Sequence, residues 1–151
     1  MTSVEDFFNG IPNENNLTID EIINFDNHWW DNEHNFIQWM FPLHESSMFN
    51  QSVPLIVNDH WTYYLSPHPR GDRMYQNLNR FMEFIYSDIS FLYVRNHNWL
   101  RITRVLRSIR FFGLNNESIA LYNIWSRCID DKTTKLYWEK AATDYIWQSL
   151  K

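Results

Sequence analysis

The sequence predicts an all-α protein: a single compact domain over residues 1–151, with about six to seven helices and a long ordered loop after the second helix. Aromatic residues make up 18% of the chain and only three glycines occur, so many large side chains need burial and few backbone positions are free. Apolar residues recur at helical spacing in several segments, and helix-capping patterns stand beside them. At 151 residues, the chain has the usual length of one domain that needs no disulfide or metal to fold.

The first two helices are predicted from their end signals. The segment 18–21 (Thr-Ile-Asp-Glu) has capping-box spacing, and a helix should follow it to about Trp30. A second helix is expected over residues 32–40, because Pro42 disfavours the α conformation in the residue before it. Residues 42–57 show no helical spacing, so they form the predicted long loop.

The middle of the chain contains one strong break. A short helix is expected over residues 58–64, followed by a corner at Pro67–Gly71, where turn-forming residues cluster. Apolar spacing then predicts a helix to about Ser87. Residues 89–95 are rich in aromatic and branched side chains that suit a strand, but no partner strand is evident, so we expect a helix continuation or an extended connector.

Three further elements complete the predicted fold. A helix over Asn98–Phe112 carries one apolar face, and Gly113 is placed to adopt the left-handed conformation that closes it. Asn116 should cap the next helix. A last helix is expected over residues 133–150.

Cysteine content and hydropathy indicate the cell compartment. Cys128 is the only cysteine, which excludes an internal disulfide and any multi-cysteine zinc site. Apolar runs such as Ile89–Val94 are too short to span a bilayer, and the start of the chain lacks the pattern of a secretory leader. The sequence therefore predicts a cytoplasmic protein without a membrane partner.

Charge is divided along the chain. Residues 1–69 contain ten of the eighteen acidic residues and no Lys or Arg, so they carry about −10, while residues 70–151 carry about +5. Such opposed charges favour docking within the molecule or between two copies, which would make a homodimer.

Four arginines at three-residue intervals lie in the helix predicted over residues 98–112: Arg101, Arg104, Arg107 and Arg110. They could grip phosphates, but the net charge of −5 disfavours nucleic acid as a partner. We expect Arg101 or Arg104 to be partly buried against acids of the first half. These candidate acids are Asp20, Glu21, Asp26, Asp31 and Glu33.

Two segments resemble a known family. Residues 34–42 read His-Asn-Phe-Ile-Gln-Trp-Met-Phe-Pro and residues 97–104 read His-Asn-Trp-Leu-Arg-Ile-Thr-Arg. They resemble the signatures His-x-x-Ile-Gln-Trp-Leu-Phe-Pro and His-Asn-x-Leu-Arg-Ile-Thr-Arg of the conserved region of the opioid growth factor receptor. Met40 departs from the leucine of the first signature but keeps its volume. Weaker similarity covers most of the chain, at residues 17–23, 49–50, 54 and 136–142.

The resemblance implies a helical domain and supports fold more than function, because one fold hosts several activities. Name-bearing members are associated with binding an enkephalin peptide and restraining cell growth, and they carry long additional segments that this chain lacks.

The two His-Asn segments supply the candidate ligand site. His34 and Gln38 share a helix face, as do His97 and Arg101, and we predict that the two segments meet in space. The candidate ligand-binding residues are His34, Asn35, Gln38, Trp39, His97, Asn98, Arg101 and Arg104. Within this set, we expect Trp39, with Phe41, to be a core anchor and His34 to form a buried hydrogen bond. Neither segment has metal-ligand spacing, so no cofactor or metal is expected.

Aromatic residues in excess of one small core indicate a partner surface. The candidate anchors are Trp29, Trp30, Trp61, Tyr63 and Tyr64. The leading prediction is a non-enzymatic protein that binds a peptide or protein through an aromatic groove edged by the two His-Asn segments. One alternative is a small enzyme or ligand-binding protein centred on His34, Gln38, His97 and Arg101, although no nucleophile can be named. Another is an acidic inhibitor-like protein that meets a basic surface.

Overall fold

The computed structural model describes residues 2–44, 55 and 69–143, with only the backbone described for residues 69–72. The chain divides into two units, Met1–Phe84 and Ile85–Lys151, and the expectation of one domain over the whole chain stays a prediction. The all-α class is confirmed: the described residues form eight α-helices and no strand. No helix in this part of the chain has the length and apolar character needed to cross a membrane.

Four short helices and one long helix begin in the first unit. They are α1 (Val4–Phe8), α2 (Ile19–Asn24), α3 (Asn27–Asn32), α4 (Phe36–Met40) and α5 (Pro69–Tyr86). The last of these continues into the second unit for its final two residues. The second unit then contains a 3₁₀ turn (Ile89–Leu92), α6 (Asn98–Phe111), α7 (Asn115–Ser126) and α8 (Lys132–Thr143).

The helix predicted from the capping box to Trp30 is two helices, so that prediction was wrong. Its start is confirmed, because Thr18 Oγ1 accepts the backbone N–H of Glu21 and the Glu21 carboxylate accepts the N–H of Thr18. The helix ends at Phe25, where the backbone is extended (ψ 153°). Asp26 then caps a new helix, its Oδ1 accepting the N–H of Trp29. A side chain that offers a local acceptor competes with continuation of the helix.

The predicted helix over residues 32–40 ends where Pro42 requires, at Met40, but it begins only at Phe36. The corner predicted at Pro67–Gly71 is wrong for residues 69–71, which form the first turn of α5. Proline suits this position because the first helical N–H has no intrahelical acceptor. The loop predicted beyond His44, the helix over 58–64 and the end of the last helix lie outside the described residues, apart from Leu55.

The later elements follow the prediction closely. α6 spans Asn98–Phe111, and Gly113 has the expected positive φ of 89°. Residues 89–92 form a 3₁₀ turn, so the described segment 89–95 contains no strand. Leu114, with no side-chain cap, precedes α7, so the expectation that Asn116 caps that helix was wrong.

Aromatic rings form the core of the first unit. Trp30 is fully buried, and its ring centroid lies 4.8 Å from that of Phe36 and 5.8 Å from that of Phe84. Trp39 packs on Phe7 with centroids 5.1 Å apart. The indole N–H of Trp30 donates to the carbonyl of Ile22 at 2.9 Å. This bond satisfies the polar atom of the ring and allows complete burial.

Two polar side chains of α5 hold the ends of the short helices. Asn77 Nδ2 donates to the carbonyl of Met40 at 2.8 Å, and Arg80 donates to the carbonyls of Ile23 at 2.9 Å and Phe25 at 2.8 Å. Carbonyls at helix C-termini have no intrahelical donor. α5 therefore holds the C-terminal ends of α2 and α4 in place. The segment between these two ends, which contains α3, is anchored on both sides.

Buried tryptophans also organise the second unit. The indole of Trp99 donates to the carbonyl of Phe91 at 2.7 Å, and that of Trp138 donates to the carbonyl of Trp99 at 3.2 Å. Trp125 donates to the hydroxyl of Tyr86 at 2.8 Å. The buried face of α6 is the one predicted from apolar spacing, and its fully buried members are Ile102, Val105, Leu106 and Ile109.

Candidate functional site

The first wall of a surface pocket is an aromatic stack held by a helix cap. Because Asp26 Oδ1 accepts the N–H of Trp29 at 2.9 Å, α3 starts at a defined residue and presents Trp29 on its first turn. The Trp29 ring is half-buried, with its centroid 4.4 Å from that of Phe25 and 4.7 Å from that of Phe36. Contacts with these two rings restrict the orientation of this side chain.

The second wall is the connection between α3 and α4. Glu33 ends α3 with an extended backbone (ψ 153°), its N–H bonded to the carbonyl of Trp29 at 2.9 Å. His34 and Asn35 follow with exposed side chains, and α4 begins at Phe36. The break between the two helices thus brings a carboxylate, an imidazole and an amide to the surface in succession.

The third wall is the loop before α2, which a buried asparagine organises. Asn13 is 5% exposed, and its Oδ1 accepts the N–H groups of Asn15 at 3.0 Å and Leu17 at 3.1 Å. The Asn13 N–H donates to the carbonyl of Leu17 at 2.9 Å, and Asn16 adopts a positive φ of 61°. Asparagine tolerates that backbone conformation and forms such local turns more readily than most residues.

These walls enclose a partly open pocket of about 200 Å³ on the first unit. Its lining combines two aromatic rings, one leucine, one carboxylate, one imidazole and three side-chain amides. The lining residues are Asn13, Asn15, Leu17, Trp29, Glu33, His34, Asn35 and Phe36.

The electrostatic character of the pocket is negative. Among the described residues that line the pocket, Glu33 is the one carboxylate and none is a lysine or arginine. The unit Met1–Phe84 contains twelve Asp and Glu against three Arg, a formal charge of −9. Two of these arginines have partners outside the pocket or are buried. Arg73 pairs with Asp20, and Arg80 is only 8% exposed.

The pocket brings together three residues that the sequence predicted as site residues: Trp29, His34 and Asn35. Gln38 is half-buried and Trp39 is 5% exposed on Phe7, and neither lines the pocket.

Three details of the predicted roles need correction or stay open. Trp30 was expected to be an exposed anchor, but it is fully buried. Its ring packs inside the core, and its indole N–H donates to a backbone carbonyl there. His34 was expected to form a buried hydrogen bond, but its side chain is exposed. The remaining candidate anchors, Trp61, Tyr63 and Tyr64, lie outside the described residues.

The second His-Asn segment lies in the second unit. His97 is exposed at the start of α6, and Asn98 Oδ1 accepts a hydrogen bond from Arg101 at 3.4 Å. Arg101 is 6% exposed and Arg104 is half-buried. The burial expected of Arg101 is therefore found, while its pairing with acids of residues 20–33 and the meeting of the two segments stay predictions.

Sequence reasoning missed the loop that forms the third wall. Residues 13–16 read Asn-Glu-Asn-Asn after Pro12, a run of turn-forming residues that signals a tight local structure. What the sequence does not show is that this loop faces Trp29 and Phe36. Glu33 was predicted only as an acid that could pair with Arg101 or Arg104, because its place beside the aromatic rings depends on the break at Phe25.

The described residues contain no cluster of metal ligands. No group of three or more His, Cys, Asp and Glu side chains among them could hold a metal ion. The described lining residues include no serine, threonine, cysteine or lysine; Glu33 and His34 are of the types that serve as general acids and bases. The arrangement is suited to binding through ring faces, amides and one carboxylate.

No family model, curated protein or solved structure matches this chain. The resemblance to the opioid growth factor receptor region therefore stays a prediction carried by residues 34–42 and 97–104.

Proposed function

We propose that this chain is a non-enzymatic interaction protein that binds a peptide or protein partner and takes one side chain of that partner into the pocket. The observation that carries the proposal is the convergence of Trp29, His34 and Asn35 on one cavity. Two of these residues belong to the first His-Asn segment and the third belongs to the aromatic pair that the sequence indicated as a partner surface.

The size of the pocket supports a side chain as the ligand. Sites for cofactors and drug-sized molecules usually have volumes of about 300–1,000 Å³. A cavity of about 200 Å³ is smaller than that range, so it suits a small group. Because it is partly open, that group can belong to a larger molecule that lies outside the pocket. A side chain projecting from a peptide backbone meets both conditions.

The chemistry of the lining supports recognition of a peptide. Tryptophan supplies a large, rigid contact area and is enriched where interfaces derive most of their binding energy. The exposed amide of Asn35 and the imidazole of His34 can orient a peptide backbone at the pocket mouth. The enzyme alternative has no hydroxyl, thiol or amine nucleophile among the described lining residues, and no observation beyond the presence of Glu33 and His34 favours it.

The acidic inhibitor-like alternative is a second candidate function, favoured by the charge of −9 on the first unit. It differs from the leading proposal in the extent of the contact, since a whole basic surface would then be bound. Partners in either case are expected in the cytoplasm, in keeping with the single cysteine. A peptide ligand also agrees with what the family resemblance implies.

Selection from a displayed random-peptide library tests the proposal. Asn15→Trp fills the pocket from its exposed rim and keeps the backbone N–H that bonds Asn13. Asn79→Trp, the same change at an exposed position of α5 that does not line the pocket, is the matched control. We expect peptides selected on the wild-type protein to lose affinity about tenfold or more with Asn15→Trp and to bind Asn79→Trp as they bind the wild type. Failure to select any peptide, or equal loss with both variants, would overturn the proposal.

A further inference from the structure

We infer that the pocket takes a cationic side chain, arginine or lysine, from a basic segment of a partner protein. This inference rests on the proposed function and names the class of side chain that the pocket selects.

The charge of the pocket lining favours a cationic side chain. Glu33 is the one Asp or Glu among the described lining residues, which include no lysine or arginine, and its side chain is exposed at the end of α3. A carboxylate at the rim can pair with a guanidinium or ammonium group without being stripped of all its water, which keeps the desolvation cost low. The N–H groups of Asn35 and His34 could bind an anion, but the same carboxylate and the charge of −9 on the unit oppose one.

The aromatic wall of the pocket favours the same kind of side chain. A cation within about 6 Å of an aromatic ring centroid is attracted to the ring face, and arginine also stacks on rings through its planar group. Trp29 and Phe36 both line the pocket beside Glu33. The alkyl part of an arginine or lysine side chain can pack on these rings while its charged end reaches the carboxylate.

The first unit already contains a cationic side chain that lies over a tryptophan ring. The Arg80 guanidinium lies 4.7 Å from the ring centroid of Trp30 and donates to the carbonyls of Ile23 and Phe25. That internal site combines an aromatic ring face with oxygen acceptors. The pocket offers the same two components, Trp29 and Glu33, to an external side chain.

The charge of the first part of the chain also favours a cation at long range. Residues 1–69 contain no lysine or arginine, so a basic segment approaching the pocket meets no like charge from this part of the chain. A field of one sign raises the rate at which an oppositely charged partner arrives.

Short peptides of one design provide the test. The probes are acetylated and amidated Gly-Ser-Xaa-Ser-Gly peptides in which Xaa is arginine, lysine, citrulline or glutamate, and citrulline keeps the shape of arginine without its charge. They are titrated at pH 8, where imidazole groups generally carry no charge, into isotope-labelled full-length protein while the Trp29 indole N–H resonance is followed. We expect saturable shifts with arginine and lysine, binding at least about tenfold weaker with citrulline, and no shift with glutamate.

Variants at two glutamates locate the binding. Glu33→Gln should weaken the arginine peptide about tenfold, whereas Glu139→Gln, which makes the same charge change at an exposed position of α8, should leave its affinity unchanged. Equal binding of the arginine and citrulline peptides, or an unchanged affinity with Glu33→Gln, would overturn the inference. Butylguanidinium, which carries one guanidinium and no peptide backbone, is the last probe. Tighter binding of butylguanidinium than of the arginine peptide would overturn the assignment to a protein partner.

The two proposals fail in different ways. If library selection yields peptides that depend on the pocket but contain no arginine or lysine, the cationic inference fails and the proposed function stands. If the arginine peptide binds the wild type and Asn15→Trp equally, the pocket is not the site and the inference fails on location. If no selected peptide depends on the pocket, both fail.

Discussion

At the residue scale, Arg80 shows how a charged side chain is accommodated in the first unit. It is 8% exposed, and burial lowers its pKa below the ordinary value, while nearby Glu83 and Asp26 act in the opposite direction. Its hydrogen bonds to two carbonyls and its position over Trp30 replace the water that it loses. Arg80 is therefore a structural charge, and its loss would leave two helix-end carbonyls without their donor.

The first prediction follows from that role. Arg80→Ala should lower the free energy of unfolding by about 2–4 kcal/mol, because two charge-assisted hydrogen bonds and buried packing are lost together. Arg73→Ala on the same helix removes a partly exposed ion pair with Asp20 and a 3.4 Å hydrogen bond to Gln76 and should cost about 0–1 kcal/mol. Urea unfolding followed by circular dichroism measures both. Equal costs would show that the buried contacts of Arg80 contribute nothing beyond a surface pair.

The second prediction separates the two kinds of residue within the first His-Asn segment. Trp39 is 5% exposed in the core, so Trp39→Ala should cost about 3–5 kcal/mol, as large-to-small core changes do. His34 is exposed, so His34→Ala should change stability by no more than about 0.5 kcal/mol while it weakens peptide binding. Urea unfolding and peptide titration of both variants decide the matter. A large loss of stability with His34→Ala would assign that side chain a structural role.

At the element scale, short helices and their caps determine the pocket. α3 and α4 have six and five residues, far below the length at which an isolated helix is stable in water. Their ends are held by side chains: Asp26 at the start of α3, and Asn77 at the end of α4. The position of Trp29 and Asn35 in space thus depends on contacts made by a few polar groups.

The third prediction tests the cap at the start of α3. Asp26→Ala removes the acceptor of the Trp29 N–H and should cost about 0.5–2 kcal/mol. It should also weaken peptide binding, because Trp29 is no longer held at the pocket. Asp26→Asn keeps a capping side chain and should retain most of both properties, which distinguishes the cap from the charge. Denaturation and peptide titration on the same samples give the two readouts; wild-type binding by a destabilised Asp26→Ala would contradict the link between cap and pocket.

The fourth prediction concerns pH and the cap of α8. Hydrogen bonding from the Thr134 backbone lowers the pKa of Asp131 in the folded protein. A carboxyl group whose pKa is depressed by folding stabilises the protein above its unfolded pKa, and this stabilisation is lost as the pH falls through the folded pKa. The wild type should therefore lose more stability between pH 7 and pH 3 than Asp131→Asn, which caps without titrating. Asp130→Asn, at the exposed neighbour, serves as the control and should follow the wild type.

Local signals explain which elements could be predicted from the sequence. The capping box at residues 18–21, the stop at Pro42 and the closure at Gly113 were correct because each depends on groups within a few residues. The break at Phe25 was missed because the segment up to Trp30 was predicted as one helix, whereas Asp26 caps a second helix there. The pocket was predicted only in part. His34 and Asn35 could be predicted together because they are adjacent in sequence. The loop at residues 13–17 could not, because it lies beside them only through tertiary packing.

At the scale of the whole molecule, charge and hydrophobic pattern have separate roles. Each unit contains its own tryptophan-rich core, around Trp30 in the first and around Trp125 and Trp138 in the second. The formal charges of the units are −9 and +4. Charge of this size acts on partners and on association rates more than on the fold. On the proposed function, the carboxylate of the pocket and the net charge of the unit would both favour a basic partner, the first locally and the second at long range.

The fifth prediction uses salt to separate these two effects. The distance over which exposed charges act falls from about 10 Å at 0.1 M salt to about 3 Å at 1 M, so the arginine peptide should bind more weakly as salt rises. The citrulline peptide, which lacks the charge, should show little change. In Glu33→Gln the local pair is absent, and the salt dependence that remains reports the field of the rest of the unit. Peptide titrations at several salt concentrations measure these slopes. An arginine-peptide affinity that does not change with salt would mean that neither the carboxylate nor the charge of the unit contributes, and the pocket would then select its side chain by shape and ring contact alone.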